Sequence, residues 1–164
     1  MLRLVMAFIV IMMALPGCRP TIDNRITVTR VIDGDTIEVS ISGVVERVRY
    51  IGIDTPERGK PFFNESTEAN RQLLTGKTIT LEKDVSERDQ YGRLLRYVYA
   101  GDVFVNAELV RLGYAQVATL PPDVKWFDYF LELQREAREA GLGLWGLTET
   151  NFEIYEVLDG TSYI

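Results

Sequence analysis

Histidine is absent from this 164-residue chain, and cysteine occurs once, at position 18. The first absence removes histidine-dependent nucleases, Ser-His-Asp hydrolases and His-ligated zinc centres together. The second excludes an internal disulfide. Basic residues are outnumbered, 18 Lys and Arg against 24 Asp and Glu, for a formal charge of −6. A protein of that sign does not draw in a polyanion by its overall field, so a nucleic-acid ligand needs a local basic patch or a bound cation. Whatever hydrolytic chemistry the chain performs must run on carboxylates, arginines and a hard metal ion.

Long apolar runs are scarce too, with one exception. Residues 4–15, LVMAFIVIMMAL, are uncharged and apolar without interruption, too short to span a bilayer as a helix but suited to a secretory leader. The run sits at the extreme terminus and lacks an amphipathic period, which argues against a buried core helix. Leu15-Pro16-Gly17-Cys18 resembles the lipobox of bacterial lipoproteins, where the leader is cut before a cysteine that then carries lipid. The expectation is a signal peptide over 1–17, a lipidated anchor and linker over 18–24, and an exported protein held at a membrane through Cys18 without a transmembrane span. Loss of the leader removes Arg3 and makes the chain one charge more negative.

What remains suffices for one core. Residues 25–32 (RITVTRVI), 35–42 (DTIEVSIS) and 44–53 (VVERVRYIGI) read as three successive strands, rich in Val, Ile and Thr, with Asp33-Gly34 and Ser42-Gly43 as turns. A helix follows over 65–75, with Asn64 as N-cap and Gly76 as stop. Strands are expected at 77–84 and 93–100. A short helix over 106–113 is capped by Asn106 and ended by Gly113. The longest helix, 124–141, places Trp126, Phe127, Phe130, Leu133 and Ala137 near helical spacing, toward a core. Three strands, a helix, two strands and then helices predict an α+β, mainly β, fold. Its frame is a five-stranded Greek-key barrel, the OB-fold, with about three packed helices. Residues 147–164 form an acidic tail, with four acids and no base after Leu147.

Two acidic turns stand at the mouths of apolar strands. Asp33-Gly34-Asp35 fails the EF-hand pattern, since Gly34 falls second, Ile37 fifth, and Val44 replaces the terminal glutamate. Alone it reads as a hairpin turn. Asp54-Thr55-Pro56-Glu57 changes that reading, because Pro56 makes a rigid turn that presents two further acids. Carboxylates brought close raise one another's pKa and favour a shared cation, and Ca²⁺ or Mg²⁺ suits oxygen ligands such as Asp35 and Asp54. Arg47 and Arg49 precede this turn and Arg93 enters the fifth strand. Singly each reads as a surface charge. By strand alternation Arg49 points to the same side as Ile51 and Ile53, where a guanidinium needs an acid or a phosphate.

VIDGDTIEV, RYIGIDTPE, DQYGRLLRYVY, VNAELVRLGYA and AREAGLGLWG occur in that order. Together they resemble the staphylococcal nuclease (thermonuclease) family over roughly residues 25–146. The resemblance implies the barrel already argued for and a calcium-dependent endonuclease that cleaves DNA and RNA to 3′-phosphate ends. It implies that Asp35, Asp54 and the Thr55 carbonyl hold Ca²⁺, that Glu57 is the general base, and that Arg49 and Arg93 grip the phosphate. Asp33 would support the metal ligands and Tyr91 would border the nucleotide pocket. Two departures stand out. Val117-Ala118-Thr119-Leu120-Pro121 lies where the best-known member of that family carries tyrosines, and the segment after Glu57 offers only Arg58 and Lys60. Weaker base stacking and weaker substrate capture are expected. The other readings are a non-catalytic OB-fold module binding single strands or a protein, and a lipoprotein that merely binds calcium. A monomer is expected.

Overall fold

The computed structural model describes residues 26–146. The apolar leader, Cys18 and the acidic segment 147–164 lie outside the described residues. No helix among those described is long and apolar enough to cross a membrane.

Strand β1 (Ile26–Val31) pairs antiparallel with β2 (Thr36–Ile41), and β2 with β3 (Val44–Tyr50). The β2–β3 connection is the expected Ser42-Gly43 turn, both residues at positive φ (51° and 84°), as a two-residue hairpin of this twist requires. β5 (Ile79–Glu82) joins β1 at Ile26↔Ile79 and β6 (Leu94–Ala100) along its length. β6 then returns parallel to β3, Val48↔Leu94 through Tyr50↔Arg96, and closes the five-stranded barrel. Ile37, Val39, Val48, Tyr50, Tyr97 and Val98 are buried in the core. β6 is buried along most of its length, because barrel residues cover one face and helices the other.

Helices α1 (Phe63–Leu74), α2 (Val105–Arg111) and α3 (Phe127–Glu139) match the three expected. Phe130, Leu133 and Ala137 of α3 are buried as its period predicts, Trp126 packs against the core, and Phe127 is half-buried.

Three local expectations are corrected. The strand expected over 44–53 breaks at Ile51-Gly52, where Gly52 has φ 78° and a Cβ would meet the Phe130 ring at 2.8 Å. Beyond the break, β4 (Ile53–Asp54) pairs with β8 (Gln116–Val117) in a separate small sheet, while β7 (Val103–Phe104) extends β6 as a hairpin. Asn64 is not the cap of α1, which starts from Phe62 in a left-handed conformation (φ 68°). Asn106 lies inside α2 and is fully buried. Its Oδ1 accepts from the Val98 N–H and its Nδ2 donates to the Ile51 carbonyl, both at 2.9 Å.

Candidate active site

The break after β3 is what assembles the site. By turning the chain at Ile51-Gly52, it brings Asp54 back to Arg49, five residues before it. Arg49 Nη1 donates to the Tyr50 and Ile53 carbonyls (both 2.7 Å), Nη2 to Asp54 Oδ1 (2.8 Å), and Nε lies 3.1 Å from Asp35 Oδ1. The guanidinium therefore finds the acidic partners that its strand position demanded. Three of its five N–H groups donate hydrogen bonds and Nε sits within ion-pair reach of Asp35, which leaves the second Nη2 hydrogen for an external anion.

Asp35, at the β1–β2 turn, is buried and saturated with donors. Its Oδ2 accepts the backbone N–H (2.8 Å) and hydroxyl (2.9 Å) of Thr55, and Oδ1 accepts the Thr36 hydroxyl (3.0 Å). Asp33 Oδ1 accepts the Asp35 N–H at 3.1 Å, which holds the turn from behind. Gly34 is required here by close approach, since a Cβ would lie 2.8 Å from three atoms of the Thr55 side chain. The two acidic turns of the sequence are thus physically one unit. Burial pushes the Asp33 carboxyl above its usual range, and the Asp35 charge adds to this. Burial also raises Asp54, with Asp35 adding and Arg49 opposing.

Among the described residues no three Asp, Glu, Cys or His side chains converge as a metal cage. The donor set present nonetheless suits a hard cation that keeps several waters. Asp54 is 56% exposed, with its second oxygen unengaged among the described residues. The Thr55 carbonyl makes no hydrogen bond among the described residues, and Asp35 would contribute by yielding one of its present donors.

Arg93 is anchored differently. Asp89 accepts its Nε at 2.6 Å and its backbone N–H at 2.9 Å, so the forked Nη end stays uncommitted. Its guanidinium lies 5.5 Å from the Tyr91 ring centroid, and Tyr91 is 75% exposed. A cavity of about 510 Å³ joins this pair to Arg49, with Ala118, Thr119, Leu120 and Pro121 as a non-aromatic wall. Glu57 is exposed and its carboxylate engages no other described residue; it does not line that cavity.

Three positioning residues escaped the sequence reading. Asp89 holds Arg93. Asp123, buried, accepts the Val85 and Ser86 N–H groups (2.9 and 2.8 Å) and so ties the loop before β6 to the cavity wall. Asn70, buried on α1, donates to the Asp33 carbonyl (2.9 Å) and accepts from the Tyr50 hydroxyl (2.8 Å). Asp89 carried the one available signal, an acid four residues before Arg93 across Gly92.

A closed OB barrel with a histidine-free acid–arginine cavity belongs to the class of nuclease domains. The chain is a member of the staphylococcal nuclease family, whose model, described as staphylococcal nuclease homologue, matches residues 47–146. It is 39% identical over 124 residues to the thermonuclease of Staphylococcus intermedius, covering 72% of this chain and 74% of that protein. It is 38% identical over 128 residues to the SPbeta prophage-derived endonuclease YokF of Bacillus subtilis, covering 73% of this chain. Endonuclease YncB of the same organism is 38% identical over 129 residues, covering 74% of this chain. The matches span 43% of YokF and 61% of YncB, so both relatives extend well beyond the shared part.

Proposed function

We propose that this domain is a calcium-dependent endonuclease that hydrolyses phosphodiester bonds of DNA or RNA to 3′-phosphate products. The observation that carries the reading is the single guanidinium of Arg49 clamping Asp35 and Asp54 beside a cavity shared with Arg93. Asp35, Asp54 and the Thr55 carbonyl would hold the ion, with Asp33 supporting the turn. When bound, calcium supplies charge neutralisation at a phosphoryl oxygen.

The protein's own groups divide the remaining work. Arg93 presents its fork to the phosphate in bidentate fashion, and Arg49 adds its one remaining donor. Both are fixed before substrate arrives, so charge developing on the phosphate meets donors that need no reorganisation. Glu57, an exposed carboxylate without a partner among the described residues, accepts the proton of the attacking water. Tyr91 offers an open ring face to a base, and the aliphatic wall at 118–121 gives that base no second aromatic surface.

Cleavage of heat-denatured DNA with millimolar Ca²⁺, then with chelator, tests the proposal. Wild type, Glu57→Gln and Arg93→Ala should be compared side by side. Calcium-dependent cutting that falls on the order of 10²–10³ in each variant is expected. Full activity in either variant removes its assigned role, and strand binding without cutting in any metal favours a non-catalytic OB module.

For the region outside the described residues we propose export as a lipoprotein, with the mature chain beginning at Cys18 and acting as a membrane-tethered monomer. The support is the 12-residue apolar run and the Leu15-Pro16-Gly17-Cys18 sequence. Mass spectrometry of the membrane fraction tests this, and an unmodified soluble N-terminus beginning elsewhere would refute it.

A further inference from the structure

β1 is bonded to β2 over most of its length but, among the described residues, meets β5 only at Ile26↔Ile79. Beyond that point the two strands diverge and leave an open groove of about 790 Å³, bounded by residues 26–31 on one side and by the end of α1 and residues 75–78 on the other. Three cations line it, Arg30, Arg71 and Lys77, together with the hydroxyls of Thr27, Thr29, Thr75 and Thr78, and no carboxylate does among the described residues. Arg71 pairs with Glu68 on its own helix. Arg30 and Lys77 form no ion pair among the described residues. Glu38, opposite Arg30 in the β1–β2 ladder, is taken by Arg47 at 3.3 Å.

In a chain of charge −6, such a concentration of unpaired positive charge is the local patch that a polyanion would require. Its position is equally specific. β1 runs directly into Asp33-Gly34-Asp35, and Arg71 follows Asn70, which holds the Asp33 carbonyl. A strand lying along β1 is therefore led to the acidic turn. The groove is recessed, and the N–H groups of β1 past Ile26 that turn away from β2 face toward it, where they can donate to phosphate oxygens. A planar headgroup layer would not reach into such a recess.

We propose that this groove is a second phosphate-binding track, which takes the backbone of a single-stranded nucleic acid two or more nucleotides away from the scissile bond. The proposal rests on the nuclease reading but compensates for the meagre basic content after Glu57 and the missing aromatic wall.

The test is equilibrium binding of a 20-nucleotide single strand to the full chain, read by fluorescence anisotropy across a salt series in chelator. Binding needs no cleavage, so failure of catalysis and failure of the groove are separate results. Arg30→Glu/Lys77→Glu is expected to weaken binding about tenfold and to flatten the log K against log salt slope by about 1.4, the value for two single-strand contacts. Arg30→Lys/Lys77→Arg, which keeps both charges, should bind as wild type, and both variants should keep the wild-type melting midpoint. An unchanged affinity and slope in the charge-reversed variant would overturn the proposal. If that variant instead lost binding only to phosphatidylglycerol vesicles, a membrane surface would replace nucleic acid as the ligand. An effect on DNA seen only after deletion of residues 147–164 would overturn it in favour of the chain's own acidic segment.

Discussion

Arg49 and Arg93 carry the same charge into one cavity, yet their surroundings set them to different tasks. Arg49 donates to two carbonyls and to Asp54 and pairs its Nε with Asp35, so it is a clamp first and a phosphate ligand second. Arg93 spends only Nε, on Asp89, and keeps its fork for substrate. Lysine at position 49 retains charge but cannot span four acceptors. Arg49→Lys is expected to lower stability by about 2–3 kcal/mol, measured by urea unfolding, as well as activity. Arg93→Lys should leave the urea midpoint nearly unchanged and lower kcat/KM on the order of 10². Asp89 offers a pH test of the same division. Burial alone would raise its carboxyl, but hydrogen bonds from the Arg93 side chain and from the Arg93 and Tyr91 N–H groups outweigh burial and hold it below the ordinary value. A depressed carboxyl stabilises the fold above its unfolded pKa, about 3.9, and loses that contribution as pH falls through the lower folded value. Wild type should therefore lose stability below about pH 4 more steeply than Asp89→Asn, whose position no longer titrates. Equal slopes in acid unfolding would remove Asp89 as the anchor.

At the scale of elements, Asn106 separates a local signal from a tertiary one. An N-cap asparagine is exchangeable for serine or aspartate at little cost. A buried bridge between β6 and the turn at Ile51 is not, because either exchange strands a partner. Asn106→Ser is expected to cost about 2–4 kcal/mol in urea unfolding, and a change within 0.5 kcal/mol would restore the capping role. The same contrast explains what the sequence could and could not tell. Strands and helices were legible, since Val/Ile alternation in β2 and the Phe130–Leu133–Ala137 spacing in α3 record which face is buried. The acidic turns were legible as a pair because Gly34 and Pro56 mark places where backbone shape is fixed. The break at Ile51-Gly52 was not, for RYIGI reads as a continuous strand until Phe130, 78 residues on, is found against Gly52. Asn70 and Asp123 were hidden for the same reason: each bonds backbone groups 37 or 38 residues away, and nothing in their own neighbourhood announces it.

For the whole molecule, three tyrosine hydroxyls tie surrounding elements to the barrel that its ladders close, and this makes alkali an informative probe. Tyr50 on β3 bonds Asn70 of α1, Tyr97 on β6 bonds Asp84, and Tyr99 bonds Glu82 of β5. The three contacts together tie a helix, a loop and a strand to the barrel. Burial raises the pKa of all three, and the carboxylates Asp84 and Glu82 raise Tyr97 and Tyr99 further; Tyr99 is pushed up to about 12. A group whose folded pKa is raised contributes stability that is complete below the unfolded pKa, near 10, and is lost as pH climbs through the folded value. The folded state should hold level to about pH 10 and weaken steadily above it. Titration at 295 nm beside far-ultraviolet circular dichroism follows ionisation and unfolding together. The buried tyrosines should ionise only together with loss of the barrel signal, whereas in Tyr99→Phe part of the high-pH loss should disappear, because phenylalanine keeps the stacking on Phe104 and carries no proton. If Tyr50, Tyr97 and Tyr99 titrate near 10 while the dichroism stays native, the hydroxyl ties are not what holds the helices and loops to the barrel.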